Sequence, residues 1–210
     1  MIRVKICGVT TVEDARLAAE YGATAIGLVF WPGSPRFVEL KRAKAIVSAL
    51  PPFVSAVGVF VDQQHEAERI AREVGLTAVQ FHGDEPPGTY RALSLRVIKA
   101  VSVRDASARE EAAMVPPAAT VLLDAHDRVK RGGTGRVVDW AIAAMIARDR
   151  PVILSGGLNP DNVADAVRTV APYAIDVSSG VELAFGRKDP ARLRELFSAI
   201  KAVEQAEHAE

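Results

Sequence analysis

Cysteine is almost absent from this sequence, which has a single one, Cys7, among its 210 residues. An internal disulfide is therefore excluded, and a reducing cytoplasm is the simplest setting for the protein. No run approaches the roughly 18 consecutive apolar residues that a membrane helix needs. The first residues also lack the apolar core of a secretion signal. We therefore expect a cytoplasmic protein with no membrane partner.

The sequence also lacks an excess of charge of either sign. Its 26 Lys and Arg residues balance its 26 Asp and Glu residues, so the formal net charge is zero. Nucleic-acid-binding domains usually carry a basic surplus, and we therefore expect no nucleic-acid partner. The length and the hydrophobic content of 49% are ordinary for a globular chain, and we predict a single domain over residues 1–210.

What the sequence does contain is a regular alternation of short apolar segments with amphipathic ones. Apolar segments in which apolar and polar residues do not strictly alternate are typical of strands covered on both faces of a parallel sheet. Eight of them span residues 4–7, 25–30, 56–61, 78–81, 96–100, 120–124, 151–154 and 174–177. The order predicts an α/β protein, a single-domain (β/α)8 TIM barrel, with an open doubly wound sheet as the alternative.

Capping signals mark several of the helices between these strands. Thr11, with Asp14 three residues later, is typical of a capped helix start, and Gly22 is a plausible end. Asn159 followed by Pro160 predicts another helix with proline at its first position. The remaining predictions are helices over 138–147 and 189–203, a short helix over 85–93 and a frayed tail over 204–210.

Polar or glycine-rich residues follow nearly every predicted strand at its carboxyl end. Core packing does not require that arrangement, whereas a barrel active site does, because it gathers at this end. We therefore predict a site there. The candidate residues are Cys7, Arg36, Asp62, Gln80, His82, Lys99, Asp124, Gly156, Gly157, Ser178, Ser179 and Gly180.

Two glycine-bearing turns are candidates for phosphate binding. Gly156 and Gly157 follow the seventh predicted strand, and Ser178, Ser179 and Gly180 follow the eighth. Backbone N–H groups can approach a phosphate closely at such turns, and this pair of loops is the usual phosphate site of the fold. The alternative is that the glycines only form tight turns.

The titratable candidates also have structural alternatives. Cys7 is a general base if its surroundings lower its pKa, and otherwise a small buried hydrophobic residue. Asp124 ends an apolar run, so its carboxylate must be paired, exposed or functional. Arg36 lies in a loop with two prolines that suits bidentate capture of a carboxylate, or it is a surface residue. His82 could be a core histidine, while Lys99 could extend from the rim to solvent and Asp14 and Asp62 could cap helices.

Several segments together resemble the phosphoribosylanthranilate isomerase family, and they run in order through nearly the whole chain. They are KICG at 5–8, GLVF at 27–30, SPRFV at 34–38, GVFV at 58–61, VQFHGDE at 79–85, VIKA at 97–100, LLD at 122–124, GGTG at 132–135 with DW at 139–140, GGLNPDNV at 156–163, and DVSSGVE at 176–182.

The resemblance implies an Amadori rearrangement in tryptophan biosynthesis, catalysed by an isomerase of the intramolecular oxidoreductase (aldose–ketose) type. The substrate would be N-(5-phosphoribosyl)anthranilate, with Asp124 as general acid and Cys7 as general base. Arg36 would bind the anthranilate carboxylate. Gln80, His82 and Asp176 would contact the substrate, and the two glycine turns would hold its phosphate. The reaction implies neither a metal nor an organic cofactor.

Other functions on the same fold stay open at this point. A dual-specificity enzyme or the sugar-phosphate isomerase of histidine biosynthesis is one alternative, although the latter uses an aspartate pair rather than a cysteine. A non-catalytic phosphosugar-binding barrel is another. The charged loop over 125–136 is either a lid or an ordinary loop, and the expected assembly is a monomer or a homodimer.

Overall fold

Eight parallel strands close into a barrel in which each strand pairs with its neighbours in chain order, and β8 pairs with β1. The computed structural model describes residues 2–86, 88–89, 93–125 and 138–207. The predicted (β/α)8 barrel is confirmed, and the open sheet is excluded. The strands are β1 Arg3–Ile6, β2 Ala25–Val29, β3 Ser55–Phe60, β4 Ala78–Phe81, β5 Arg96–Val103, β6 Ala119–Ala125, β7 Val152–Leu154 and β8 Ala174–Val177.

The part of the chain that the structure describes contains seven helices, which are formed by the amphipathic segments. They are α1 Val12–Tyr21, α2 Leu40–Ser48, α3 Gln64–Val74, α4 Ala108–Met114, α5 Trp140–Asp149, α6 Val163–Val170 and α7 Pro190–Glu207. None of these helices has the length and apolar character needed to cross a membrane. The predicted short helix over 85–93 falls partly on residues 87 and 90–92, outside the described residues, as does nearly all of the loop over 125–136.

The hydrophobic core has two layers because successive residues of a strand point to opposite faces. The larger layer fills the space between the strands and the helices. The smaller one lies inside the barrel, and each of six strands contributes one residue, namely Val57, Ala78, Ile98, Leu122, Ile153 and Ala174. Asp124 is two residues beyond Leu122 on β6 and therefore shares its inward face.

Local side-chain hydrogen bonds decide where two of the helices begin. Thr11 caps α1 as predicted, because its Oγ1 accepts from the Asp14 N–H at 3.1 Å. Asp14 is not the cap; its carboxylate accepts instead from the main-chain N–H of Lys188. The helix predicted after Asn159 is present as α6, but its predicted start at Pro160 is wrong, since α6 begins at Val163. Asn159 instead forms turn hydrogen bonds with residues 161 and 162, which delay the helix.

A short hairpin that the sequence did not predict follows the last barrel strand. A 3₁₀ turn, Ser179–Val181, leads into β9 Glu182–Ala184, which pairs antiparallel with β10 Arg187–Lys188. The Thr10 hydroxyl donates to the Gly186 carbonyl at 2.7 Å. The hairpin is therefore fastened to the connection between β1 and α1.

Arg150, at the end of α5, joins three main-chain segments near the amino-terminal end of the barrel. Its guanidinium donates to the carbonyls of Ala112, Val115 and Ala119 at 2.6, 2.8 and 3.0 Å. Replacing Arg150 by alanine removes all three hydrogen bonds, and we expect the free energy of unfolding to fall by about 1–3 kcal/mol. Urea denaturation measures the loss. Arg148→Ala, at an exposed position nearby, should change it by less than about 0.5 kcal/mol, and equal losses in the two variants would contradict the role of Arg150.

Candidate active site

The structure brings the titratable candidates together at the carboxyl end of the barrel. Cys7 directly follows β1, His82 directly follows β4, and Asp124 and Asp176 lie near the ends of β6 and β8. Because the strands are parallel, these ends meet at one rim, which is where (β/α)8 barrels carry their active sites. Their side chains form two hydrogen-bonded groups and an ion-pair cluster.

Cys7 lies in the first group beside Lys5 and Asp176. Lys5 Nζ is 2.9 Å from Asp176 Oδ1, both side chains are buried, and Lys5 also hydrogen-bonds the Cys7 side chain. Burial by itself lowers the pKa of Lys5, but the Asp176 carboxylate and Cys7 outweigh it, so the pKa is raised and Lys5 is an ammonium. Asp176 and Cys7 were predicted as site residues from the sequence, whereas Lys5 was not.

Burial raises the pKa of the Cys7 thiol above its usual range, and the Lys5 charge offsets this only in part. The lowered pKa that the sequence analysis required of a ready thiolate is therefore not found. At neutral pH the group is a thiol, with an ammonium next to it that stabilises the thiolate once the proton leaves. Deprotonation of Cys7 depends on that neighbour.

This pKa has a direct chemical readout because Cys7 is the one cysteine of the sequence. Iodoacetamide reacts with thiolate, so the alkylation rate rises about tenfold per pH unit until the thiol is half deprotonated. In the folded protein we expect this rise to continue beyond the pH at which the Cys7 thiol of the unfolded chain is half deprotonated. Lys5→Met should move the profile to still higher pH, since it removes the stabilising charge. A midpoint in the folded protein below that of the urea-unfolded protein would contradict the assignment.

Asp124 lies in the second group, a chain of side chains that crosses the rim from β6 to β4. Asp124 Oδ2 is 3.1 Å from His82 Nε2, and His82 Nδ1 is 2.9 Å from Gln80 Nε2. If the Gln80 amide donates to Nδ1, the imidazole proton lies on Nε2 and points to the Asp124 carboxylate. His82 therefore orients Asp124 directly, and it is not an isolated core histidine.

Arg36 is buried in an ion-pair cluster with two residues of the hairpin. Its Nε and Nη2 donate to the two carboxylate oxygens of Glu182 at 2.8 and 2.7 Å. Lys188 Nζ donates to Glu182 Oε1 at 3.0 Å. Burial alone raises the pKa of Glu182, but the two cations outweigh it, so the pKa is lowered. Sequence reasoning missed the roles of Glu182 and Lys188, and the alternative of a surface position for Arg36 is wrong.

Two further sequence candidates, Asp62 and Lys99, belong to a supporting network at the ends of β3 to β5. Lys99 Nζ is 2.8 Å from the buried carboxylate of Glu85, which also accepts from the Asp62 and Gly83 N–H groups. The Asp62 side chain accepts from the Asp84 N–H. Asp62 thus braces a loop rather than capping α3, whose N-cap is Gln63.

The two glycine turns lie against one another. Gly156 and Gly157 have φ of 80° and 66°, which favours glycine. A Cβ on Gly180 would lie 1.9 Å from the Leu158 carbonyl oxygen, so only glycine permits this close approach. The Ser178 hydroxyl donates to the Cys7 carbonyl at 3.1 Å. The candidate phosphate turns therefore adjoin the turn that carries Cys7. In the described ranges, no group of three or more His, Cys, Asp or Glu side chains is arranged to hold a metal ion.

The closed barrel, with titratable side chains gathered at the carboxyl ends of its strands, is that of the (β/α)8-barrel enzymes. The model of the N-(5'-phosphoribosyl)anthranilate (PRA) isomerase family matches residues 4–199. The chain therefore belongs to the PRA isomerase family.

Individual relatives agree with the family match over almost the full length. The N-(5'-phosphoribosyl)anthranilate isomerase of Geobacter sulfurreducens is 49% identical over 202 residues, 96% of this chain and 99% of that protein. The crystal structure of phosphoribosyl anthranilate isomerase from Thermotoga maritima has a TM-score of 0.89 at 42% identity, with 96% and 100% of the two chains covered. A second such isomerase, in complex with reduced 1-(o-carboxyphenylamino)-1-deoxyribulose 5-phosphate, has a TM-score of 0.85 at 40% identity, with the same coverage.

Proposed function

We propose that this protein is a PRA isomerase of tryptophan biosynthesis, working in the cytoplasm. It converts N-(5-phosphoribosyl)anthranilate to 1-(2-carboxyphenylamino)-1-deoxyribulose 5-phosphate. The observation that carries the proposal is the arrangement of the rim: a carboxyl group oriented by a histidine on one side and a thiol beside an ammonium on the other. Family membership supports the substrate, as does a 40% identical relative in complex with the reduced product.

The proposed reaction begins with acid catalysis by Asp124. Asp124 donates a proton to the ribose ring oxygen while the amine lone pair forms a C1=N bond, so the ring C1–O bond breaks and a Schiff base results. The bond between His82 and Asp124 holds the carboxyl in one orientation for this transfer. Burial of Asp124 excludes water that would otherwise compete for the proton.

Base catalysis by Cys7 follows. The thiolate takes the proton from C2 of the sugar, and the electrons of that C–H bond form a C1=C2 bond as the iminium nitrogen becomes an amine. The enolamine then tautomerises: its C2 hydroxyl proton is lost, C1 gains a proton and C2 becomes a ketone. Lys5, held by Asp176, stabilises the thiolate, and Asp176 also contacts the ribose in this proposal.

Substrate binding is divided among the remaining candidates. Arg36 binds the anthranilate carboxylate with the guanidinium N–H groups that Glu182 leaves free. The turns of Gly156–Gly157 and Ser178–Gly180 hold the phosphate through main-chain N–H groups. Gln80 and His82 contact the sugar. The assembly, a monomer or a homodimer, is measured by light scattering; the relative from Thermotoga maritima is described as dimeric.

The decisive test of the function is a fluorescence assay on freshly prepared N-(5-phosphoribosyl)anthranilate. We expect its fluorescence to decay in proportion to the amount of purified protein. Turnover of the histidine-pathway substrate is assayed in parallel. Activity on that substrate alone would refute the proposal, activity on both would indicate dual specificity, and binding of ribose 5-phosphate without any turnover would indicate a phosphosugar-binding protein.

A further inference from the structure

Glu182 lies between two cations, and this arrangement sets the charge of the cluster around Arg36. Both of its oxygens accept from Arg36, and Oε1 also accepts from Lys188. The side chains of Arg36, Glu182 and Lys188 are 7%, 5% and 0% exposed. Water therefore screens these charges little, and a change of one charge is felt by any group that binds to Arg36.

The contacts of Lys188 Nζ are those of an ammonium. Its Nζ has three neighbours, the Glu182 carboxylate and the main-chain carbonyl oxygens of Cys7 and Ser178, at 3.0, 2.6 and 3.2 Å. All three are acceptors, which matches the three N–H donors of an ammonium. Burial lowers the pKa of Lys188, whereas the adjacent Glu182 carboxylate opposes this shift and favours the charged form.

The sum of the charges in the cluster shows what this ammonium contributes. Arg36 and Glu182 alone form a neutral pair, which offers little attraction to an incoming carboxylate. Lys188 adds one positive charge, and its other two partners are uncharged carbonyls. The Asp14 carboxylate binds the main-chain N–H of Lys188 rather than its ammonium. The three side chains therefore carry a net charge of +1.

We propose that Lys188 is a positioning residue that keeps the Arg36 site cationic and so sets its affinity for the substrate carboxylate. The proposal rests on the proposed function, in which Arg36 binds the anthranilate carboxylate. Lys188 does not touch the substrate, because its side chain is enclosed. It acts through Glu182, whose negative charge it shares with Arg36, and it joins the turns after β1 and β8 to the hairpin.

The test compares a ligand that has the aryl carboxylate with a sugar phosphate that lacks it. Reduced 1-(o-carboxyphenylamino)-1-deoxyribulose 5-phosphate carries the carboxyphenylamino group, whereas ribose 5-phosphate lacks the whole group. Lys188→Met should weaken binding of the first on the order of tenfold and of the second less than about twofold, measured by calorimetry. In turnover, KM should rise more than kcat falls. Lys44→Met, which removes an exposed lysine paired with Glu73, is the matched control and should change neither ligand.

Charge rescue separates this role from a merely structural one. Glu182→Gln with Lys188→Met leaves Arg36 as the one charge of the cluster and restores +1, so affinity for the carboxylate ligand should recover towards wild type. Equal weakening of both ligands, or no recovery in the double variant, would overturn the proposal. If Lys188→Met alone does not fold, Glu182→Gln is compared with the double variant, because the two differ only by the Lys188 charge. The double variant should then bind the carboxylate ligand more weakly than Glu182→Gln does, with little change for ribose 5-phosphate.

Failure of the proposed function has a different signature. In that case the wild-type protein itself would not turn over N-(5-phosphoribosyl)anthranilate. If wild type turns over N-(5-phosphoribosyl)anthranilate and Lys188→Met binds the carboxylate ligand as tightly as wild type does, the proposed function stands and the assignment of Lys188 fails.

Discussion

Replacing Cys7 by alanine is expected to reduce kcat for N-(5-phosphoribosyl)anthranilate by about 10²–10⁴-fold, the usual contribution of a general base. The Cys7 thiol, beside Lys5, is the proposed acceptor of the C2 proton, and the alanine side chain cannot take its place. The substitution removes a single sulfur from a small cluster with Val29 and Val59, so the barrel should remain folded. Steady-state fluorescence of the substrate measures the loss.

The controls for Cys7 address both chemistry and structure. Cys7→Ser keeps nearly the same shape but places a much weaker acid at the position, and it should be almost as inactive as Cys7→Ala. Both variants should retain binding of the reduced product analogue. Turnover like that of wild type would remove Cys7 from the mechanism, and loss of binding together with turnover would point to collapse of the turn after β1.

Asp124→Asn should be comparably severe, with kcat lowered about 10²–10⁴-fold. Asparagine has the same shape and can still hydrogen-bond His82, but it carries no carboxylic proton to give to the ribose ring oxygen. Product binding and thermal unfolding should stay close to wild type. Asp149→Asn, which alters an exposed carboxylate paired with Arg109, is the matched control. A mild effect of Asp124→Asn would mean that the acid lies elsewhere.

The order of the strands could be predicted from the sequence because strands covered on both faces are continuous apolar runs. The bounds of β7 were predicted to within one residue. β5 extends three residues further than predicted, to Val103, because Val101 and Ser102 pair with Leu123 and Asp124 of β6. That extension depends on a partner strand, which local sequence does not show.

The candidate site was predicted in part, for reasons that differ from residue to residue. Lys5 is two positions before Cys7 and so faces the same side of the strand; this signal was present and was not used. Glu182 and Lys188 gave no comparable signal, because acidic and basic residues after a last strand look like solvent-exposed positions. Glu182 is buried against Arg36, which is 146 residues away from it in sequence. Lys188 is buried against Glu182 and the turns after β1 and β8. The phosphate turns stay a prediction that their mutual packing supports.

The seam between β1 and β8 has a consequence for how the enzyme matures. Lys5 meets Asp176 across 171 residues, and the Cys7 carbonyl meets Lys188 across 181. During translation the turn with Cys7, the proposed base, is made well before Asp176 and Lys188, the residues that complete its surroundings. A nascent or truncated chain that ends before Lys188 can contain most of the barrel and still lack a finished site. With the proposed roles of these residues, activity requires that synthesis has passed Lys188 and that the ring of strands has closed.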